Sequence, residues 1–180
     1  MSTPAPGRSC AGCTMCCKLL EIGALNKPPG QWCPHCKVGE GCAIYETRPD
    51  ECRSFNCLWL SDASIPEEWA PRNTRMVLAG AGAAIFVLVD PSRAGAWRNA
   101  PYHAKLRGWA AGMVPRGGQI LVREGREMFA ILPDHEKALG HVEEGLVFLT
   151  TQRQTPNGTQ YDMEVVSPDD PRAVAVMKKP

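Results

Sequence analysis

The stretch Arg75-Met-Val-Leu-Ala79-Gly80-Ala-Gly82-Ala-Ala84-Ile-Phe-Val-Leu-Val89 decides how this chain folds. Two short apolar runs flank a glycine-containing turn, which predicts a hairpin with a buried second strand. Further on, Tyr102, Leu106, Trp109, Ala110 and Met113 recur with helical spacing and mark one face of an amphipathic helix. Asn99 is placed to cap it, Pro101 is tolerated in its first turn, and Gly112 and Pro115 end it. Gln119 to Arg123 and Glu127 to Leu132 bracket Glu-Gly-Arg, a second hairpin signal. Leu146 to Thr151 and Tyr161 to Val166 bracket Pro-Asn-Gly, a third. A short helical turn is expected after Pro168. These signals predict an α+β fold in which residues 75–180 form a small, mostly antiparallel sheet domain with one main helix. Phe86, Leu88, Trp109, Phe129, Ile131, Leu146 and Phe148 are its expected core, enough apolar surface to hold this part together by itself.

Upstream the character changes. Residues 63–74, Ala-Ser-Ile-Pro-Glu-Glu-Trp-Ala-Pro-Arg-Asn-Thr, are polar and broken by proline, and read as a linker or covering loop. Residues 1–62 have few apolar runs but hold all nine cysteines: Cys10, Cys13, Cys16, Cys17, Cys33, Cys36, Cys42, Cys52 and Cys57. A module so short of hydrophobic surface needs a staple. Three Cys-x-x-Cys steps, two of them overlapping, are the spacing that lets two sulfurs reach one ion. A disulfide framework is the weaker reading. Nine is odd, adjacent Cys16 and Cys17 do not readily pair with each other, and the polar residues before Cys10 lack the apolar segment of a secretory signal. The expected compartment is therefore the reducing cytoplasm.

Charge narrows the partners. Across residues 1–62 six basic side chains (Arg8, Lys18, Lys27, Lys37, Arg48, Arg53) meet six acidic ones (Glu21, Glu40, Glu46, Asp50, Glu51, Asp62), and the whole chain carries a formal net charge of +1. Nucleic-acid-binding zinc modules present a basic surplus, so no nucleic acid is expected as partner. No run reaches the roughly 18 apolar residues of a membrane span, so no membrane is expected either. Metal ions are the expected partners; nothing in the residues identifies a protein partner.

Within the module, Cys33-Pro-His-Cys36 has the form of a zinc-knuckle turn. The segment from Cys36 to Cys42 supplies Gly39 and Gly41 where a chain curling round an ion needs positive φ. Thr47-Arg-Pro-Asp50 has the form of a helix start, with Cys52 on that helix and Cys57 just beyond it. Arg48 and Arg53 stand where guanidinium groups either offset thiolate charge or face solvent. His35 reads as a solvent-facing knuckle residue more readily than as a ligand.

Cys10-x2-Cys13-x2-Cys16-Cys17, followed by Gly41-Cys42-Ala-Ile-Tyr45-Glu-Thr-Arg48-Pro49-x2-Cys52-Arg53-x-Phe55-x-Cys57, resembles the CxxCxxCC family, the YkgJ-type cysteine-cluster proteins described as zinc- or iron-chelating. The likeness covers about residues 8 to 60. It implies Cys10, Cys13, Cys16, Cys17, Cys36, Cys42, Cys52 and Cys57 as ligands, with Cys33 an addition to the pattern. It implies a metal and no particular reaction.

Eight or nine cysteines suit two four-thiolate zinc sites, one zinc and one iron–sulfur cluster, or a binuclear site with shared thiolates. All-cysteine sites without an open position are usually structural, which puts zinc ahead of iron and a structural role ahead of a catalytic one. Other motifs are thin. Gly80-Ala-Gly82-Ala lacks the third glycine and following helix of a dinucleotide fingerprint and reads as a turn. His103 reads as packing or surface, and Asp134-His135-Glu136 as a solvated turn rather than a weak metal site. The expected protein is a cytoplasmic metal-binding protein with cysteine-ligated zinc or iron, mainly structural or metal-handling. The alternative is an iron–sulfur oxidoreductase or modifying enzyme.

Overall fold

The computed structural model describes residues 3–177; residues 1, 2 and 178–180, which the expected parts of the chain also include, lie outside the described residues. The cysteine-bearing part is built from short pieces: helix α1 (Met15–Leu19), strands β1 (Cys36–Lys37) and β2 (Gly41–Cys42), then helices α2 (Asp50–Ser54), α3 (Leu58–Ser61) and α4 (Pro71–Thr74). Helices of five residues or fewer are not stable by themselves in water, so packing and side-chain bonds must hold these in place. Thr47 does not start α2. It closes a 3-10 turn at Tyr45–Thr47, Arg48 is extended, and Pro49 takes the cap position without a side-chain hydrogen bond. The reason is local, because a residue before proline is pushed out of the helical region.

Downstream follow β3 (Met76–Ala81), β4 (Ala84–Val89), helix α5 (Tyr102–Met113), β5 (Gln119–Glu124), β6 (Glu127–Ile131), β7 (Glu136–His141), β8 (Val147–Thr155), β9 (Gly158–Val166) and helix α6 (Pro171–Met177). The fold is α+β. Five strands make one sheet in the order β3-β4-β5-β6-β7, and β8-β9 make a separate hairpin. Within the larger sheet β4 and β5 alone run parallel, with α5 as the connection between them; the other neighbours are antiparallel. All three hairpins expected from the sequence form. Strand β7 has no such signal: Glu136-Lys-Ala-Leu-Gly-His141 does not alternate, and it adds to the open side of β6 with an irregular register at Met128/Phe129. Helix α5 begins later than its expected cap. Pro101 holds the cap position, and Asn99 contributes its backbone oxygen, which accepts from the His103 amide at 3.2 Å.

The sheet is covered on both faces. Strand register places Met76, Leu78, Val87, Val89 and Val122 on one side and Val77, Leu88, Phe86 and Leu121 on the other. The first side packs with Leu106, Ala110 and Val114 of α5 and its C-terminal extension, and with Trp97. On the second side Met15 and Leu19 of α1 cover Val77 and Leu88, while the β8-β9 hairpin brings Phe148 to 6.3 Å from Phe86. Trp59, Leu60, Ile65 and Trp69 join the main core. Trp69 packs edge-on to Tyr102 at 5.0 Å and beside Trp109 at 5.1 Å, so the segment after residue 62 lies over α5. Of the expected core residues Ile131 is fully buried. Phe86, Leu88, Trp109, Phe129 and Phe148 pack partly buried, and Leu146 is exposed because it precedes β8 in an open turn. Gly80 permits one close approach: a Cβ there would lie 3.2 Å from Leu58 Cδ2, so glycine lets α3 rest directly on β3.

A buried ion pair ties the layers. Lys18 of α1 donates to Asp90 Oδ1 at 2.7 Å, at the end of β4, and the Ser92 amide donates to the same oxygen at 2.9 Å. Asp90 Oδ2 faces only the Arg75 guanidinium, at 3.9 Å. Burial alone would raise the Asp90 carboxyl; the Lys18 ammonium and the Ser92 donors outweigh it and hold the group below its ordinary range. The carboxylate therefore contributes stability at neutral pH, and that contribution is lost as pH falls through its depressed value. Asp90→Asn leaves Lys18 uncompensated in a covered position. We expect urea unfolding at pH 7 to show a loss of about 3–5 kcal/mol, and the variant to lose less stability than the wild type on acidification.

Candidate metal centre

All nine cysteines are free, and they lie on or beside the turn before α1, α1 itself, the β1-β2 hairpin, α2 and the start of α3. Cys10 and Cys13 are joined by a tight turn, with the Cys13 amide donating to Cys10 O at 2.9 Å and Gly12 at φ +69°. Cys16 and Cys17 lie on α1. The Cys33 amide donates to Cys17 O at 3.0 Å, and the Cys36 amide donates to Cys33 O at 3.0 Å, closing the Cys33-Pro-His-Cys36 turn. Cys36 and Cys42 sit opposite each other across β1 and β2. The loop between them takes positive φ at Gly39 (81°) and Gly41 (145°), where an L side chain would be strained. Cys52 lies on α2 and Cys57 at the cap of α3.

Cys10, Cys13, Cys16 and Cys57 line a small cleft with about 30 Å³ of free space, whose floor includes Val77 of the sheet and Trp59, Leu60 and Pro71. Cys10 is exposed as a residue, yet it faces this cleft. Burial first, and then the charges of Cys57 and Cys13, push its thiol up. Burial also raises Cys57, against donation from the Leu60 and Trp59 amides to its sulfur. The remaining thiols surround the hairpin. Cys17 bonds to Cys16 and Cys36, and the contact with Cys16, followed by burial, drives it far above the ordinary thiol range. Cys36 is raised to about 11 by burial and by Cys17, while the Thr14 hydroxyl opposes the shift. Cys52 is raised by burial and by Cys17, Cys33 and Cys42. Crowded, partly covered thiols repel one another's negative charge, and a cation placed among them would remove that cost.

Three groups here carry no sequence signal. Lys27, a single lysine before two prolines, is only 4% exposed. It donates to Lys18 O at 2.8 Å and to Leu20 O, satisfying carbonyls at the end of α1. Burial lowers its ammonium, while Cys33, Cys17, Cys16 and Cys52 pull it up. Thr14 holds the Gly39 amide at 3.3 Å and the Cys36 thiol, which fixes the hairpin against α1. Arg8 donates to the carbonyls of Trp59, Asp62 (2.6 Å) and Ile65 (2.5 Å), tying the segment before Cys10 to the end of α3. The Arg8 and Thr14 contacts join residues distant in sequence, and the Lys27 contacts depend on the chain looping back to α1, so no local pattern announces them. Of the two arginines singled out, Arg48 stacks on Tyr45 at 3.7 Å and favours the Cys10 thiolate, whereas Arg53 is spent on the carbonyls of Arg48 and Glu46.

Among the described residues no three His, Cys, Asp or Glu side chains converge tightly enough to hold an ion as they stand. Asp134, His135 and Glu136 do not form a common site: His135 pairs with Asp134 at 2.9 Å, and Glu136 turns to Arg98 at 2.9 Å and His103 at 3.2 Å. No described helix is long and apolar enough to cross a membrane.

Lys27→Met would leave two helix-end carbonyls without their donor and remove the cation beside four thiols. We expect it to cost about 1–3 kcal/mol in chemical unfolding of the reduced protein, with Lys27→Arg closer to wild type.

Comparison with protein-family models, with curated proteins and with solved structures finds no match to this chain. The likeness to the CxxCxxCC proteins thus rests on the sequence pattern alone.

Proposed function

We propose that this is a metal-binding protein whose Cys10 to Cys57 thiols hold zinc, with iron the second choice, in sites that are mainly structural or metal-handling. One observation carries the reading. Nine free cysteines come from one segment poor in core residues, and burial and neighbouring thiols oppose the ionisation of five of them, Cys10, Cys17, Cys36, Cys52 and Cys57. A bound cation relieves both costs. The donors fit zinc or an iron–sulfur cluster, since thiolate is the preferred ligand of each. Their number suffices for two four-thiolate shells, and a filled tetrahedral shell leaves no open position for a substrate; that favours structure over catalysis. Among the described residues no three such ligands converge as they stand, so loading requires the thiols to move closer together. Such coupling of side-chain order to binding is usual where the ion contributes to folding. Free thiols on this scale also suit the reducing cytoplasm, in which we place the protein.

Elemental analysis of protein purified without added metal tests the reading. The expected result is stoichiometric zinc in a colourless preparation; brown colour with broad visible absorption would assign the iron–sulfur alternative. Structural zinc contributes on the order of 10 kcal/mol of binding free energy, so chelation should open the chain to proteolysis before Ser61. A metal-free protein that resists cleavage there as well as the purified form does would overturn the proposal.

A further inference from the structure

We infer that the thiols make two separate sites, one formed by Cys10, Cys13, Cys16 and Cys57 against the sheet, the other by four of Cys17, Cys33, Cys36, Cys42 and Cys52 around the hairpin. The inference rests on the metal-binding reading above and divides its ligands. The first four thiols line one cleft and come from the N-terminal turn, α1 and the cap of α3. The second group is organised by the backbone: Cys33 is bonded to the carbonyl of Cys17, Cys36 to that of Cys33, and Cys36 stands across the strand pair from Cys42. Cys52 lies on α2 with Cys17, Cys33 and Cys42 of its own group as its thiol neighbours, although Cys17 also lies near Cys10 of the first group.

Adjacent Cys16 and Cys17 divide the two sites because they share a helix. Successive side chains on an α-helix leave its axis about 100° apart, so Cys16 faces the cleft while Cys17 reaches Cys36 on the hairpin. The surroundings differ too. The first site is floored by Val77, Trp59 and Leu60, which anchors an ion there to the core. The second lies beside the buried Lys27 ammonium, which offsets part of the charge of a divalent ion held by four thiolates. Cys33, the cysteine outside the family spacing, is 6% exposed and sits inside the second group, which therefore has one thiol more than a tetrahedron needs. Cys17 also touches Cys16, so this pair is where a bridging thiolate would have to form if all the sulfurs shared one cluster.

The test uses the full chain, reduced and loaded with cobalt(II) as the probe ion. Two separate sites bind two equivalents, and the electron paramagnetic resonance signal of high-spin cobalt grows in proportion to both. Thiolate-bridged ions couple magnetically, so loss of signal on adding the second equivalent would overturn the inference. Variants give a second reading. Cys57→Ser should lose one ion and keep the other, and so should Cys36→Ser with Cys42→Ser, which leaves the second group only three thiols. Cys10→Ser with Cys57→Ser should still lose only one, and Cys57→Ser with Cys36→Ser and Cys42→Ser should lose both. Loss of both ions from Cys57→Ser alone or from Cys36→Ser with Cys42→Ser, or a wild type that binds a single ion, would refute two sites while leaving metal binding intact. A wild type that binds no metal defeats the underlying reading itself.

Discussion

The contact between Lys18 and Asp90 sits where three parts of the molecule meet: the helix bearing Cys16 and Cys17, the end of β4, and the turn after it. An unpaired charge in a covered position is costly, so this pair constrains α1 to one place and one orientation on the sheet. Met15 and Leu19 then fall on Val77 and Leu88, and the thiols between them are carried to fixed positions. A five-residue helix has almost no stability of its own; its geometry is borrowed from the sheet through that ion pair and that apolar contact.

The same logic extends across the cysteine region. Arg8 ties the chain before Cys10 to carbonyls at the end of α3, and α3 is seated by Trp59 and Leu60 in the main core, with Gly80 allowing Leu58 to lie on β3. Thr14 before the first turn of α1 and Lys27 at its C-terminal end do comparable work. The thiol-bearing loops are thus held from outside by polar contacts to backbone atoms, and their interior is left to sulfur. With the proposed ion bound, these polar ties would set the approximate positions and coordination would set the rest.

Electrostatics give the arrangement its direction. Burial and neighbouring thiols raise Cys10, Cys17, Cys36, Cys52 and Cys57. Lys27 serves carbonyls while favouring the Cys17 thiolate, Arg53 serves the backbone, and Arg48 favours the Cys10 thiolate from the stacked position on Tyr45. An added cation would favour the ionised form of these thiols. A metal-loaded and a metal-free form would consequently differ in proton count as well as in side-chain positions.

Much of this was legible in the residues themselves. Alternating or continuous apolar runs announced three hairpins, helical spacing announced α5, and the glycines between Cys36 and Cys42 announced a tight curl, because each signal acts over a few neighbouring residues. The concentration of thiols in a core-poor segment also raised metal chemistry as an expectation, and it stands as the proposal. Other features depended on contacts between distant residues. Strand β7 forms because β6 offers it an open edge, although its own sequence does not alternate. Leu146 is apolar, yet its place in an open turn leaves it exposed. Pro49 displaced the expected cap of α2, a competition between two local signals that the sequence posed and did not rank. The grouping of nine cysteines around one cleft and one hairpin, the burial of Lys27, and the pairing of Lys18 with Asp90 arise only when α1 docks on β3 and β4, since they join residues up to 72 positions apart whose proximity no local spacing encodes.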